Sequence, residues 1–238
     1  MKKKDKVPTK DLSDENVMEA YSTIQKWIKT IPSTLADIKE NGTKEDIRNY
    51  QIQIKMVLNK LEEKLSSLKS ANKKALAAYL VAGDPDISTT LELMHSFVDA
   101  GVDIIEVGVP FTDPIAEGKI IENAHHSSLK NGFILDDVCK IIKNFREYSD
   151  TPVIAMGYTN SFINPSSEVI APKLADNGFS GVLIVDLPAS EKSIINSFKE
   201  KNLELVQLIA PTTQLNLIED FLENDPALIY YITQSGIT

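Results

Sequence analysis

The sequence predicts a parallel α/β fold over residues 75–238, preceded by a helical extension over 1–74. Three observations predict it. Six short apolar runs, at 75–81, 103–109, 152–156, 181–185, 204–209 and 228–232, are nearly continuous rather than alternating, as expected of strands buried on both faces. Amphipathic stretches lie between or beside them, near 88–100, 119–130, 136–148, 166–177, 190–200 and 214–223, so strand alternates with helix and the connections are right-handed crossovers. Gly101, Gly132 and Gly178 fall where those helices must stop. Six strands suit a doubly wound sheet, whereas a closed (β/α)8 barrel needs eight. No Gly-x-Gly-x-x-Gly follows the first strand, which counts against a dinucleotide site.

The extension has a different texture. Ser13 with Asp14 and Glu15 reads as a helix start. Val17, Tyr21, Ile24, Ile28 and Ile31 then step by 4, 3, 4 and 3, one apolar stripe on a helix that Pro32 ends. Thr43 to Asp46 resembles a capping box. Ile54, Leu58, Leu61, Leu65 and Leu68 repeat the 4, 3, 4, 3 spacing. Two such seams predict a helical hairpin or short coiled coil. It either packs on the main domain and covers apolar surface or serves as an arm for a partner.

Composition narrows the function classes. The chain has 238 residues, 25 basic and 34 acidic, for a net charge of −9. Residues 1–70 hold 14 basic and 11 acidic side chains, leaving 11 and 23 for the rest. An acidic main domain is a poor nucleic-acid binder. No apolar run reaches the ~18 residues of a membrane span, and no apolar segment follows the basic start to make a secretory signal. One cysteine, Cys139, excludes an internal disulfide and fits the reducing cytoplasm. No Cys/His cluster has zinc spacing, so no metal site is expected.

Function in a parallel α/β fold collects at the carboxyl ends of the strands. Glu106 is the most informative residue there. It lies within Ile104-Ile105-Glu106-Val107-Gly108, where an ionised carboxylate is costly unless paired, protonated or facing a polar site. It is either a general acid/base with a raised pKa or a structural carboxylate with a fixed partner. Asp113 and Glu117 lie in the following loop, which Pro110 and Pro114 stiffen. A second acid there either holds a ring N–H or shares a proton, or else forms a turn and a helix start. Asp84, between Gly83 and Pro85, reads first as a turn residue. His125 and His126 point about 100° apart on a helix and cannot chelate together, so a surface or packing role is expected. Cys139 reads as core.

Several motifs together carry a resemblance. Ala82-Gly83-Asp84-Pro85, Ile105-Glu106-Val107-Gly108-Val109-Pro110-Phe111-Thr112-Asp113-Pro114, Asp186-Leu187-Pro188, Ala210-Pro211-Thr212-Thr213, and Tyr230-Tyr231 with Ser235-Gly236-Ile237-Thr238 resemble, in order and in register, the tryptophan synthase alpha chain family. The resemblance covers 75–238. It implies a (β/α)8 TIM barrel, of which these residues hold about six βα units. It also implies retro-aldol cleavage of indole-3-glycerol phosphate to indole and glyceraldehyde 3-phosphate, with no metal or organic cofactor. Glu106 matches the family's acid/base glutamate. Glu117 stands where the family has an aspartate that stabilises charge at the indole nitrogen. Tyr79, Asp113, Tyr158, Tyr230 and Thr238 match positions at the substrate. The implied partner is a PLP-dependent beta chain, with the loop after the second strand at the interface.

Departures from the pattern are part of the reading. Glu117 is one methylene longer than the aspartate, Lys119 replaces a proline, and Gln234 stands where arginine is usual. The remainder of the family barrel, with its phosphate-binding loops, lies beyond strand six. Residues 1–70 match no part of the family. Two other readings stand beside the lyase: a truncated, non-catalytic alpha-like protein that docks on a beta chain or another partner, and a phosphate-binding barrel with a different substrate.

Overall fold

The structure, a computed structural model, describes residues 59–232. The helices predicted upstream of Asn59 lie outside the described residues, as do Gln234 and Thr238. The elements run α1 (Lys60–Ser70), β1 (Ala77–Val81), α2 (Ile87–Asp99), β2 (Ile104–Gly108), α3 (Lys119–Lys130), α4 (Leu135–Phe145), β3 (Val153–Gly157), α5 (Thr159–Phe162), α6 (Ser167–Asp176), β4 (Gly181–Ile184), α7 (Lys192–Lys199), β5 (Glu204–Ile209), α8 (Leu215–Glu223) and β6 (Leu228–Tyr231). All six predicted strands form. They pair in parallel in sequential order, β1 to β6. Sequential order contradicts a doubly wound sheet, in which the strand order reverses. It is the order of a barrel, and the sheet is six strands of one. The short α5 falls between the predicted elements, because four residues carry no helical periodicity.

The strand alternation sorts the two faces. Ile105, Val107, Val153, Ala155, Val182 and Leu205 join the core beneath the helices, with Val138, Ile141, Ile142 and Phe145 of α4 among their buried companions. Ile104, Ile154, Leu183 and Val206 form a second cluster on the inner face of the curved sheet. The predicted glycine stops Gly101, Gly132 and Gly178 all take left-handed φ.

Leu61 of α1 belongs to that inner cluster and is fully buried; Leu65 packs beside it. Burying a leucine contributes roughly 1.5–3 kcal/mol. The helix is fastened to segments that enter the sheet. Asn59 caps it by accepting from Leu61 N–H at 2.8 Å, and its amide donates to Ser180 O at 2.6 Å and Asn202 O at 2.5 Å, just before β4 and β5. Lys60 pairs with Asp150 before β3, and Lys64 lies 3.5 Å from Asp103 before β2. Thus α1 closes the amino end of the half-barrel. For Leu61 and Leu65, the packing alternative of the extension holds.

Candidate active site

At the carboxyl ends of the strands, β2 sets the geometry. Every residue of β2 is buried. Alternation places Glu106 on the inner face with Ile104. Its register partner on β1 is Tyr79. Two residues further along β2, Gly108 leaves room for the Tyr79 ring: a Cβ at Gly108 would run into the phenol oxygen. The glycine is therefore needed for close approach rather than for a turn.

Glu106 is 5% exposed, and burial pushes its carboxyl up to about 6. Burial also raises the Tyr79 phenol, and the charges of Glu117 and Glu106 add to the shift. Across the curved sheet, Tyr230 of β6 is raised by burial and by the charge of Glu106. Tyr230 remains substantially exposed, on the open side of the inner face. Glu106 is therefore flanked by two phenols within electrostatic reach.

The second acid is held from β3. Tyr158 follows that strand and is buried. Its hydroxyl accepts Ala116 N–H at 2.9 Å and donates to the Glu117 carboxylate. Its ring stacks on Phe111, centroids 4.7 Å apart and 18° from parallel. Burial raises the Glu117 carboxyl, while the Tyr158 bond pulls the other way. Glu117 is buried just before Gly118, the residue that opens α3. Tyr158 thus ties the Glu117 carboxylate and the Ala116 amide of the same loop to the end of β3.

The structure thus brings together five of the seven predicted site residues: Tyr79, Glu106, Glu117, Tyr158 and Tyr230. Asp113 is exposed, and its carboxylate accepts from Thr112 Oγ1 at 2.6 Å. Thr238 lies outside the described residues. Asp186 ties two loops of the same end, accepting from Thr159 N–H at 2.6 Å and Thr159 Oγ1 at 2.8 Å. Asp86 serves as the N-cap of α2, while Asp84 sits in the turn before it.

Sequence reasoning did not foresee the contacts of the two histidines. His125 is 1% exposed. Its Nδ1 accepts the Phe111 N–H at 3.2 Å, and its Nε2 lies 3.4 Å from the Tyr79 hydroxyl. His126 Nε2 donates to Thr112 O at 3.2 Å. Burial, with the neighbouring His126 charge, pushes the His125 imidazole down to about 4. A signal was present: Ile121, His125 and Ser128 are 4 and 3 apart, a stripe that turns inward. Ser128, also buried, donates to Ala82 O at 2.6 Å and anchors the loop after β1.

Among the described residues no group of side chains has the makings of a metal site. No helix among them is long and apolar enough to cross a membrane.

Comparison with known proteins places this arrangement. The family model of the tryptophan synthase alpha chain matches residues 65–238, so the match begins inside α1 rather than at β1. The chain is 42% identical over 183 residues to the tryptophan synthase alpha chain of Marinobacter nauticus, covering 76% of this chain and 68% of that protein. The Neisseria gonorrhoeae alpha chain is 41% identical over 167 residues, 69% of this chain and 64% of that one. The chain thus spans about two thirds of the relatives' length. Among solved structures, the alpha subunit of Legionella pneumophila superposes with a TM-score of 0.71 at 33% identity, covering 74% of this chain and 68% of that one. The Pyrococcus furiosus tryptophan synthase a2b2 complex superposes with a TM-score of 0.62 at 34% identity, over 66% of this chain and 64% of that one. With its sequential parallel strands and its buried glutamate on the inner face of β2, the chain belongs to the tryptophan synthase alpha chain family, a family of lyases.

Proposed function

We propose that the protein cleaves indole-3-glycerol phosphate to indole and glyceraldehyde 3-phosphate, with Glu106 as the acid/base. The observation that carries the reading is the Glu106 carboxyl, buried on the inner face between two phenols and pushed up to about 6. A group titrating there is present in both protonation states near neutrality, which suits proton transfer in either direction.

The step balances with one carboxyl. Glu106 gives a proton to C3 of the indole ring, and the positive charge that forms is shared with the ring nitrogen. The carboxylate then takes the proton of the hydroxyl on the carbon attached to C3. The bond from that carbon to C3 breaks, its electron pair returns to the ring, and the hydroxyl carbon leaves as an aldehyde. Glu117 supplies negative charge for the ring nitrogen, and Tyr79, Tyr158 and Tyr230 line the inner face around the ring. Asp113 and Thr238 are assigned to the substrate by their place in the family motifs.

We also infer a PLP-dependent beta chain as the partner, in the cytoplasm. The support on this chain is apolar surface beside the site. Ile115 in the loop after β2 is 79% exposed and Ile120 at the start of α3 is 83% exposed, and exposed apolar residues close together mark interaction surfaces. The test is indole release from indole-3-glycerol phosphate by the full chain, alone and with a beta chain. Indole formation that the beta chain increases is expected. No indole in either condition would overturn the reading and leave the non-catalytic alternative.

A further inference from the structure

We propose that His125 is a positioning residue of this site, whose neutral Nε2–H tautomer anchors the loop after β2 and sets the direction of the Tyr79 hydroxyl. The inference adds a residue to the site and, for its effect on turnover, rests on the lyase reading. Phe111 N–H donates to His125 Nδ1 at 3.2 Å, so that nitrogen carries a lone pair and not a proton. A neutral ring must then hold its proton on Nε2. Nε2 lies 3.4 Å from the Tyr79 oxygen, so the imidazole is the donor there and the phenol the acceptor. The phenol's own proton is left free for a second acceptor. On the inner face beside it stands Glu106, its register partner.

Both arms end on groups already placed in the site. Phe111 stacks on Tyr158, which binds Glu117; Tyr79 lies over Gly108 and beside Glu106. One imidazole on α3 therefore links the two acid-bearing halves. His126 reinforces the loop arm through Thr112 O at 3.2 Å. A protonated His125 would turn Nδ1 into a donor facing the Phe111 N–H. The near-complete burial of the ring opposes that form.

The first test needs no variant. Long-range 1H–15N spectra of the full chain, labelled at histidine, read the tautomer at pH 7. The Nε2–H tautomer is expected for His125; an Nδ1–H tautomer or an imidazolium would overturn the proposal. The second test separates the arms. His125→Asn places an amide oxygen near the position of Nδ1 and is expected to keep the Phe111 amide shift. His125→Leu loses both bonds and is expected to move it. Turnover should fall about tenfold or more in His125→Leu with KM changed far less, and part of it should return in His125→Asn, because small displacements of reacting groups cost rate. Equal turnover in all three proteins would overturn the positioning role. If the wild-type chain forms no indole, the lyase reading fails. The tautomer and the Phe111 shift then still decide whether His125 holds the loop and the phenol.

Discussion

At the carboxyl end of the strands, burial pushes Glu106 up to about 6. At the amino end, burial and then the charges of Glu62 and Asp225 push Glu204 up to about 7. The Glu204 carboxyl is the more perturbed of the two, yet among the described residues its surroundings are two further acids and a lysine rather than a site. Glu204 opens β5 on the inner-facing side with Val206, near the helix that closes the base. Lys199 opposes the shift there, and its ammonium is held by Asn224 O at 2.8 Å and Asp225 O at 3.1 Å. Glu106 instead lies beside phenols, with stiff loops and the start of α3 nearby. A raised carboxyl is therefore a sign of burial first. It becomes a candidate for chemistry through its companions and the end of the strand it occupies.

Substitutions at the two ends test that contrast. The largest effect on stability is expected from Leu61→Ala, which removes the side chain that fills the base. Chemical denaturation should show a loss of about 2–5 kcal/mol, with indole formation per folded molecule unchanged. A loss below ~1 kcal/mol would mean that α1 is not a structural closure.

Glu204→Gln should stabilise the protein as pH rises. A carboxyl whose folded pKa lies above its unfolded value binds more protons when folded, so stability falls as pH rises from about 4.5 to about 7. The neutral amide removes that loss, on the order of 2 kcal/mol at pH 8 once partial exposure is allowed for. Glu106→Gln should act with the same sign over the narrower window from about 4.5 to about 6, a gain of about 2 kcal/mol at pH 7 and close to none at pH 4. Melting curves against pH check both; a gain at pH 4 equal to that at pH 7 would show that titration is not its cause. The smallest effect is expected from Lys60→Ala. Its partner Asp150 is 87% exposed, and such surface pairs contribute at most about 1 kcal/mol.

How much of this was legible in the sequence varies with the range of the interaction. The strands were legible because each is a local run, and burial on both faces leaves a continuous apolar stretch. Glu106 was legible because one acid inside such a run stands out. The barrel itself came from motif order, since six strands alone also suit a doubly wound sheet. The role of α1 was half legible. Leu61 and Leu65 lie on a clear stripe, but a stripe does not say what covers it. The acids at the base were not legible, because Glu62, Glu204 and Asp225 come from distant segments that meet only through the topology. The reach of His125 was hidden for the same reason: its two partners, Tyr79 and Phe111, lie on other segments. Asp113, carried over from a motif, sits exposed beside Thr112, because a motif fixes order along the chain and not burial.

On the proposed function, the carboxyl end of the strands holds the chemistry and the amino end only the structure. Indole release at pH 7 by Glu106→Gln and Glu204→Gln, measured side by side with the wild-type chain, decides between the two ends. Glu106→Gln is expected to lose at least ~100-fold, the scale of a lost general acid/base, and Glu204→Gln to turn over within about twofold of wild type, with both variants more stable than wild type. Comparable activity in the two variants would contradict it.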